Sequence, residues 1–305
     1  MQPYSAMQVW DQDGTGEVLF QAEEVGAESL GWLLENGHLA AALYQKAATL
    51  PTLDWQCGVQ VDALRRDADT GQWAVRSGDT HWQADLLIGA DGARSQVREQ
   101  AGISGGPRDS GHHALVATIA TAQPHGTCAR QVFMESGPLA LLPLFTDAEQ
   151  GDQRQCSIVW SGWPERIAEL RDKDAVSFAA ELQAAVGDAL GPVTLLSERA
   201  VFPIQERHAS QYVAAGLALV GDAAHLRWPK GGFGANTGIG DAVDLGWKIA
   251  AVENGWAPVR LLDTYETERR PIAIRNTNEA ANNRVLDHMI QPDPVLDEDT
   301  PAGEA

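Results

Sequence analysis

The stretch from Gly216 to Ala250, GLALVGDAAHLRWPKGGFGANTGIGDAVDLGWKIA, limits the folds open to this chain more than any other. It opens with the apolar run Leu217-Ala218-Leu219-Val220 between Gly216 and Gly221, the pattern of a short strand buried in a parallel sheet. Asp222 follows at the carboxyl end of that strand, where open α/β sheets gather ligand-contacting groups. A glycine-rich loop, Gly231 to Asn236, then leads into a helical pattern. Ile239, Ala242, Val243, Trp247, Ile249 and Ala250 recur at roughly 3.6-residue spacing, which leaves Asp241, Asp244 and Lys248 to face solvent. Strand, acidic residue, glycine loop and helix start together can hold a polar cofactor. Glycine lets the backbone come close, and a helix N-terminus offers free N–H groups at the positive end of its dipole.

The same arrangement occurs once more upstream. Ala84-Asp85-Leu86-Leu87-Ile88-Gly89-Ala90 reads as a strand ending in Asp91-Gly92-Ala93-Arg94-Ser95, and a short helix carries Val97, Arg98 and Ala101. Asp91 suits either a ligand contact or the N-cap of that helix.

Around these two units the pattern is mixed. Residues 7–10 and 17–20 read as strands split by the turn at Asp11–Gly14, and residues 36–49 read as a helix with Pro51 beyond its end. Residues 53–90 alternate like a small antiparallel meander. Between 112 and 215, strand-like runs at Leu115–Ala120, Gln131–Met134, Leu139–Leu144, Ser157–Trp160 and Arg199–Ile204 surround a helical stretch with Ala175, Phe178, Leu182 and Ala185 on one face. A mainly antiparallel sheet with helices on one side is expected there. Residues 259–285 read as a long helix that Pro271 should kink or break. Residues 291–305 are acidic, contain proline and are expected to be disordered.

Composition narrows the function classes. The 305 residues carry 22 basic and 42 acidic side chains, and the net charge of −20 argues against nucleic acid as a partner. No apolar run is long enough to span a bilayer and no basic-then-apolar leader opens the chain, so a cytoplasmic, soluble protein is expected, with peripheral membrane contact still open. Cys57, Cys128 and Cys156 lack metal spacing and read as free thiols. His112, His113, His125 and His208 have no mutual metal spacing, which favours solvated or capping roles. Oligomeric state is not encoded in any pattern here.

The two units in this order resemble the DG and GD motifs of the flavin-dependent aromatic hydroxylases, the p-hydroxybenzoate hydroxylase-like monooxygenases. The resemblance implies a mixed α/β fold. An incomplete FAD-binding Rossmann-like domain would be interleaved with an antiparallel-sheet substrate domain. Residues 1–110 would belong to the FAD domain, 111–215 to the substrate domain and 216–288 to the FAD domain again, with an acidic tail over 289–305. Asp222 would bond a ribityl hydroxyl of FAD. Pro229, Gly232, Gly234, Ala235 and Asn236 would lie against the isoalloxazine ring, and Asp91, Gly92 and Arg98 would organise the pyrophosphate. His225 could meet substrate or flavin or simply brace its loop. Met134 and Leu142 are candidates for the aromatic pocket and equally for strand core.

In such enzymes NADPH or NADH reduces FAD, O₂ adds at the flavin C4a, and the hydroperoxide hydroxylates a phenolic or quinol ring in a dry pocket. No side chain is assigned a catalytic role. Residues 3–225 are similar to the ubiquinone-biosynthesis branch, in GPLALLPL at 137–144 and Phe202-Pro203-Ile204. Residues 231–301 are similar to the phenol and polyketide branch, in GGFGANTGIGDAVDLGWKIAAV and Glu268-Arg269-Arg270-Pro271. The GxGxxG unit that precedes these motifs in the family, a βαβ of ~30 residues, does not occur before residue 50. An alternative expectation is therefore a non-catalytic remnant acting as a binding module.

Overall fold

The computed structural model describes residues 1–106, 108–145 and 153–289, so the acidic tail lies outside the described residues. In chain order, β1 (Gln2–Tyr4) leads into the hairpin of β2 (Ala6–Asp11) and β3 (Glu17–Gln21), and β4 (Gly31–Leu33) pairs back on β1. The hairpin turn is tied by Asp11 Oδ1, which accepts from the N–H groups of Asp13 and Gly14. Then come α1 (Asn36–Ala47), the meander β5 (Ala63–Arg66), β6 (Trp73–Ser77) and β7 (Thr80–Ala84), and the first strand-to-helix unit, β8 (Leu87–Gly89) and α2 (Gln96–Gln100). Next are β9 (Arg108–Thr121), β10 (Cys128–Phe133), β11 (Leu139–Pro143), β12 (Gln155–Gly162), α3 (Pro164–Asp172), α4 (Ala175–Val186) and β13 (Val193–Leu195). The chain continues with β14 (Ala200–His208), β15 (Val213–Ala214), β16 (Leu217–Leu219), β17 (His225–Leu226), α5 (Phe233–Glu253) and α6 (Thr264–Met289).

Contacts divide the chain into two units. One comprises Met1–Trp55 and Gly111–Pro203. Its sheet runs in the order β9-β12-β11-β10-β2-β3, and β13 adds to β9. Period-two burial is clear in β9, where Leu115, Ala117 and Ile119 point inward, and in β11, where Leu139 and Leu141 do. These residues, with Val132, Ile158 and Trp160, meet Ile167, Leu170, Phe178 and Leu182 of α3 and α4 in one core. Proline at the first position starts α3. The Asp174 carboxylate caps α4 by accepting from the N–H groups of Val176 and Ser177, and Gly187 at φ 62 ends it. The sheet is antiparallel as expected except between β2 and β10, which pair in parallel from Ala6↔Cys128 to Asp11↔Phe133.

The second unit comprises Gln56–Ser110 and, from Ile204, the described chain to Met289. Here β8 and β16 run parallel, Leu87 beside Leu217 and Gly89 beside Leu219, and β15 pairs antiparallel on the far edge of β16. The meander β5-β6-β7 contributes Trp73, whose indole donates to the Ala215 carbonyl. The core joins Trp73, Ile103, Tyr212, Leu217, Leu219, Leu245, Tyr265 and Ala273. Tyr265 Oη donates to the Leu219 carbonyl at 2.7 Å, and the Glu266 carboxylate accepts from the N–H groups of Tyr212 and Val213. Those bonds fasten α6 to the central strand.

Two local expectations are corrected. Pro271 lies inside α6, which continues through it unbroken. On α5 the inward face is the opposite of the expected one: Asp241 and Lys248 are fully buried, with Thr237, Leu245 and Ala251. Ile239, Val243 and Trp247 are 53%, 64% and 45% exposed. The polar groups can enter the core because each is satisfied there. Lys248 Nζ donates to Asp244 at 2.7 Å and to Glu268 at 2.9 Å, and Asp241 is bonded on both oxygens.

Candidate functional site: the crevice at β8 and β16

Both acidic residues read from the sequence stand at carboxyl ends of the parallel pair β8–β16, so pairing of Gly89 with Leu219 brings the two turns together. A further backbone bond, Val220 N–H to the Gly89 carbonyl at 3.0 Å, extends the ladder to the turns themselves. After β8, Gly92 takes φ 77, a conformation that favours glycine. The Asp91 carboxylate accepts the Val97 N–H at 3.1 Å, and Ser95 caps α2 by accepting the Arg98 N–H. Asp91 thus braces its own turn while remaining exposed.

Arg98 joins the two turns. It is 8% exposed, and its guanidinium donates to the carbonyl of Ala223, beside Asp222, at 2.8 Å and to that of Ala93 at 3.2 Å. Burial first, and then the nearby charge of Arg207, pull its pKa below the usual arginine range, against the attraction of Asp91 and Glu99.

After β16, Gly221 at φ 58 makes the turn and its Cα approaches Gly238 of α5; a Cβ on Gly238 would lie 3.3 Å from it. That close approach seats the GD turn on the helix. Asp222 is exposed, and its carboxylate makes no hydrogen bond among the described residues. The helix start differs from the expected loop. Gly231 and Gly232 have φ 78 and 65, and α5 begins at Phe233, so Gly234, Ala235 and Asn236 form its first turn. No side chain caps this end, which leaves the first N–H groups of the helix available to a ligand. Asn236 turns its amide back onto the Gly232 carbonyl at 2.8 Å, and Pro229 stays exposed just before the glycines.

His225 is 1% exposed, and both ring nitrogens are occupied. Nδ1 lies 2.7 Å from Arg227 Nη2 and Nε2 lies 2.6 Å from Asp241 Oδ2. Arginine has no acceptor, so Nδ1 accepts an Arg227 N–H and Nε2–H donates to the carboxylate. Arg227 donates also to Thr237 Oγ1, and Arg269 Nε donates to Asp241 Oδ1 at 3.0 Å. Burial alone would raise the Asp241 pKa, but the bonds from His225, Arg269 and the Gly221 N–H outweigh it and hold it below the usual value. This network locks the GD turn to α5 and α6. Helical periodicity gave no sign of it, because the partners of Asp241 lie far along the chain.

Of the candidates in the other unit, Met134 is half-buried and packs against that unit's core, and Leu142 is half-buried on β11. Among the described residues no group of three or more His, Cys, Asp or Glu could hold a metal, the cysteines form no disulfide, and no helix is long and apolar enough to cross a membrane.

Known proteins carry the same pattern. The family model described as FAD binding domain matches residues 33–280. The 3-demethoxyubiquinol 3-hydroxylase of Escherichia coli (strain K12) is 34% identical over 270 residues, covering 88% of this chain and 66% of its own length. A Streptomyces coelicolor protein named as a polyketide hydroxylase is 36% identical over 245 residues, covering 77% of this chain and 37% of its own. This chain therefore spans less than two thirds of either relative. The crystal structure of the flavin-dependent monooxygenase PieE, with FAD and substrate, superimposes with a TM-score of 0.79 over 99% of this chain and 57% of its own, at 21% identity, a likeness of fold.

Proposed function

The chain belongs to the FAD binding domain family of flavin-dependent monooxygenases, and from that membership we propose that it binds FAD at the β8–β16 crevice and serves NAD(P)H- and O₂-dependent hydroxylation of a phenolic or quinol ring. One observation carries the reading: an exposed Asp222 carboxylate, without a hydrogen bond among the described residues, beside an uncapped helix start.

The residues present fit the cofactor. Glycines at positive φ on both turns leave room for close backbone approach, and polar groups of the needed kinds converge there. In this reading Asp222 accepts a hydrogen bond from a ribityl hydroxyl. The N–H groups at the start of α5, over Gly232, Gly234, Ala235 and Asn236, face the ring edge that gains negative charge on reduction, with Pro229 flanking it. Gly92 and Arg98 stand by the pyrophosphate, and Asp91 keeps their turn in shape. When bound, FAD would supply the redox chemistry, accepting hydride from NAD(P)H and activating O₂ at its C4a carbon. The protein's work is to orient and to keep water out. His225 acts as a brace for the loop under the ring, and Met134 and Leu142 stay as candidate apolar contacts for an aromatic substrate. The Escherichia coli relative acts on a quinol by name, which supports a phenol or quinol over an aliphatic substrate.

The test is product analysis. The chain reconstituted with FAD and supplied with NADH or NADPH, a panel of phenols and isotopically labelled dioxygen should yield a ring product carrying one labelled oxygen. Flavin-bound protein that yields no labelled product from any ring would overturn the hydroxylase part and leave the cofactor part standing.

A further inference from the structure

A cavity at the amino ends of β8 and β16 has no part in the reading above. Its volume is about 470 Å³, within the range of small-molecule sites, and every residue that lines it belongs to the second unit. Asp85 and Leu86 stand just ahead of β8 and Gly216 just ahead of β16. The Gly216 carbonyl accepts the Leu87 N–H at 2.9 Å, which fixes these residues to the strand pair. Asp91 and Asp222 follow the opposite, carboxyl ends, so the cavity is separate from the flavin crevice. Its sheet side is shallow because Ala214, Gly216 and Ala218 carry at most a methyl group. Leu245 and Ile249 of α5 and Leu262, shortly before α6, wall the rest.

The lining sorts by polarity. Leu217, Ala218 and Leu245 are buried at its base, whereas its charged members, Asp85, Glu253 and Asp263, are all acidic and all exposed. No Lys, Arg or His lines it. Asp85 accepts the Gln72 amide at 2.9 Å, and none of the three makes an ion pair among the described residues. Other carboxylates of α5 and α6 have cations of their own: Asp241 has Arg269, Asp244 and Glu268 share Lys248, and Glu266 has Arg270. An apolar pocket with an acidic mouth discriminates by charge. An anion there would meet repulsion, whereas an ammonium on an apolar body can bury the body and keep its charge in water beside the carboxylates. We propose that this cavity binds a small hydrophobic amine, an aryl- or alkylammonium whose apolar part lies against Leu217, Leu245 and Ile249 and whose cation stands at Asp85, Glu253 and Asp263. The site needs no flavin, since no residue of the two glycine turns lines it.

The experiment is isothermal titration of the full chain with phenethylammonium chloride, phenethyl alcohol and hydrocinnamate, ligands that share an aromatic body and differ in charge. It compares the wild type, Ala214→Trp, and Glu253→Gln combined with Asp263→Asn. The wild type should bind the ammonium about fivefold more tightly than the alcohol, and the carboxylate least. Ala214→Trp sends an indole into the cavity from the edge strand β15 and should abolish ammonium binding. The double substitution should bring the ammonium to within about twofold of the alcohol. Three results overturn the proposal: a wild type that does not bind the ammonium or binds all three ligands alike, undiminished ammonium binding by Ala214→Trp, or an ammonium preference that survives the double substitution. Near-UV circular dichroism shows whether Ala214→Trp is folded. If it is not, the double substitution decides, because both of its side chains are exposed. The titration contains no flavin, so failure of this site and failure of FAD binding are read separately.

Discussion

At Asp222 a carboxylate is left exposed without a hydrogen-bond partner among the described residues, whereas Asp241, on the helix that follows, is fully buried and held by three donors. Substitutions should separate the two roles. Asp222→Ala removes no hydrogen bond among the described residues, so its unfolding curve should match the wild type, while FAD affinity drops by about 1.5–3 kcal/mol, the worth of a hydrogen bond to a charged group. Flavin fluorescence titration beside urea denaturation checks both halves. Asp241→Asn leaves Arg269 with a weakened partner in the interior and should cost about 3–5 kcal/mol of stability. The folded Asp241 pKa is depressed, so its contribution is present above the ordinary carboxylate range and is lost as pH falls through the lower folded value. Asp241→Asn should lack that loss.

His208 gives a second pH limb. Burial, and then the charges of Arg270 and Arg227, lower its pKa from 6.5 to about 4. The unfolded chain binds the proton first, so stability is intact above pH 6.5 and declines as pH falls toward about 4. Urea midpoints at pH 7 and pH 5 should differ in the wild type and converge in His208→Gln.

At the scale of the element, α5 shows what sequence patterning conveys and what it omits. Strand, aspartate, glycine and helix were legible at both turns, because glycine at positive φ and an apolar run before an acidic residue are local signals. The inward face of α5 was not. Periodicity assigns the core to Ile239, Val243 and Trp247, yet the buried face holds Asp241 and Lys248, whose partners His225, Arg269 and Glu268 come from other elements. A window along one helix contains no information about them. The same limit hid the parallel pairing of β2 with β10, since alternation identifies a strand but not its neighbour. The helix also shows why Pro271 did not break α6: that element is anchored on both sides of the proline, through Tyr265 to Leu219 and through Arg269 and Asn276 to α5. The inverted face makes a direct prediction. Val243→Lys should change stability by no more than about 0.5 kcal/mol, whereas Leu245→Ala should cost about 2–5 kcal/mol, both read by chemical denaturation. The opposite ranking would restore the face that periodicity suggests.

At the scale of the molecule, the sites argued above lie in one unit, where a parallel strand pair ends in two glycine turns joined by Arg98. The other unit supplies a sheet and helices with a continuous apolar core, a scaffold on which substrate contacts such as Met134 and Leu142 would be placed. The central claim is that this crevice holds FAD. The most direct measurement is the visible spectrum of the purified chain after incubation with excess FAD and gel filtration, wild type beside Asp222→Ala. Flavin absorbance that co-elutes with the wild type and is diminished in the variant is the predicted result. A colourless wild type, or equal retention by the two chains, would contradict it.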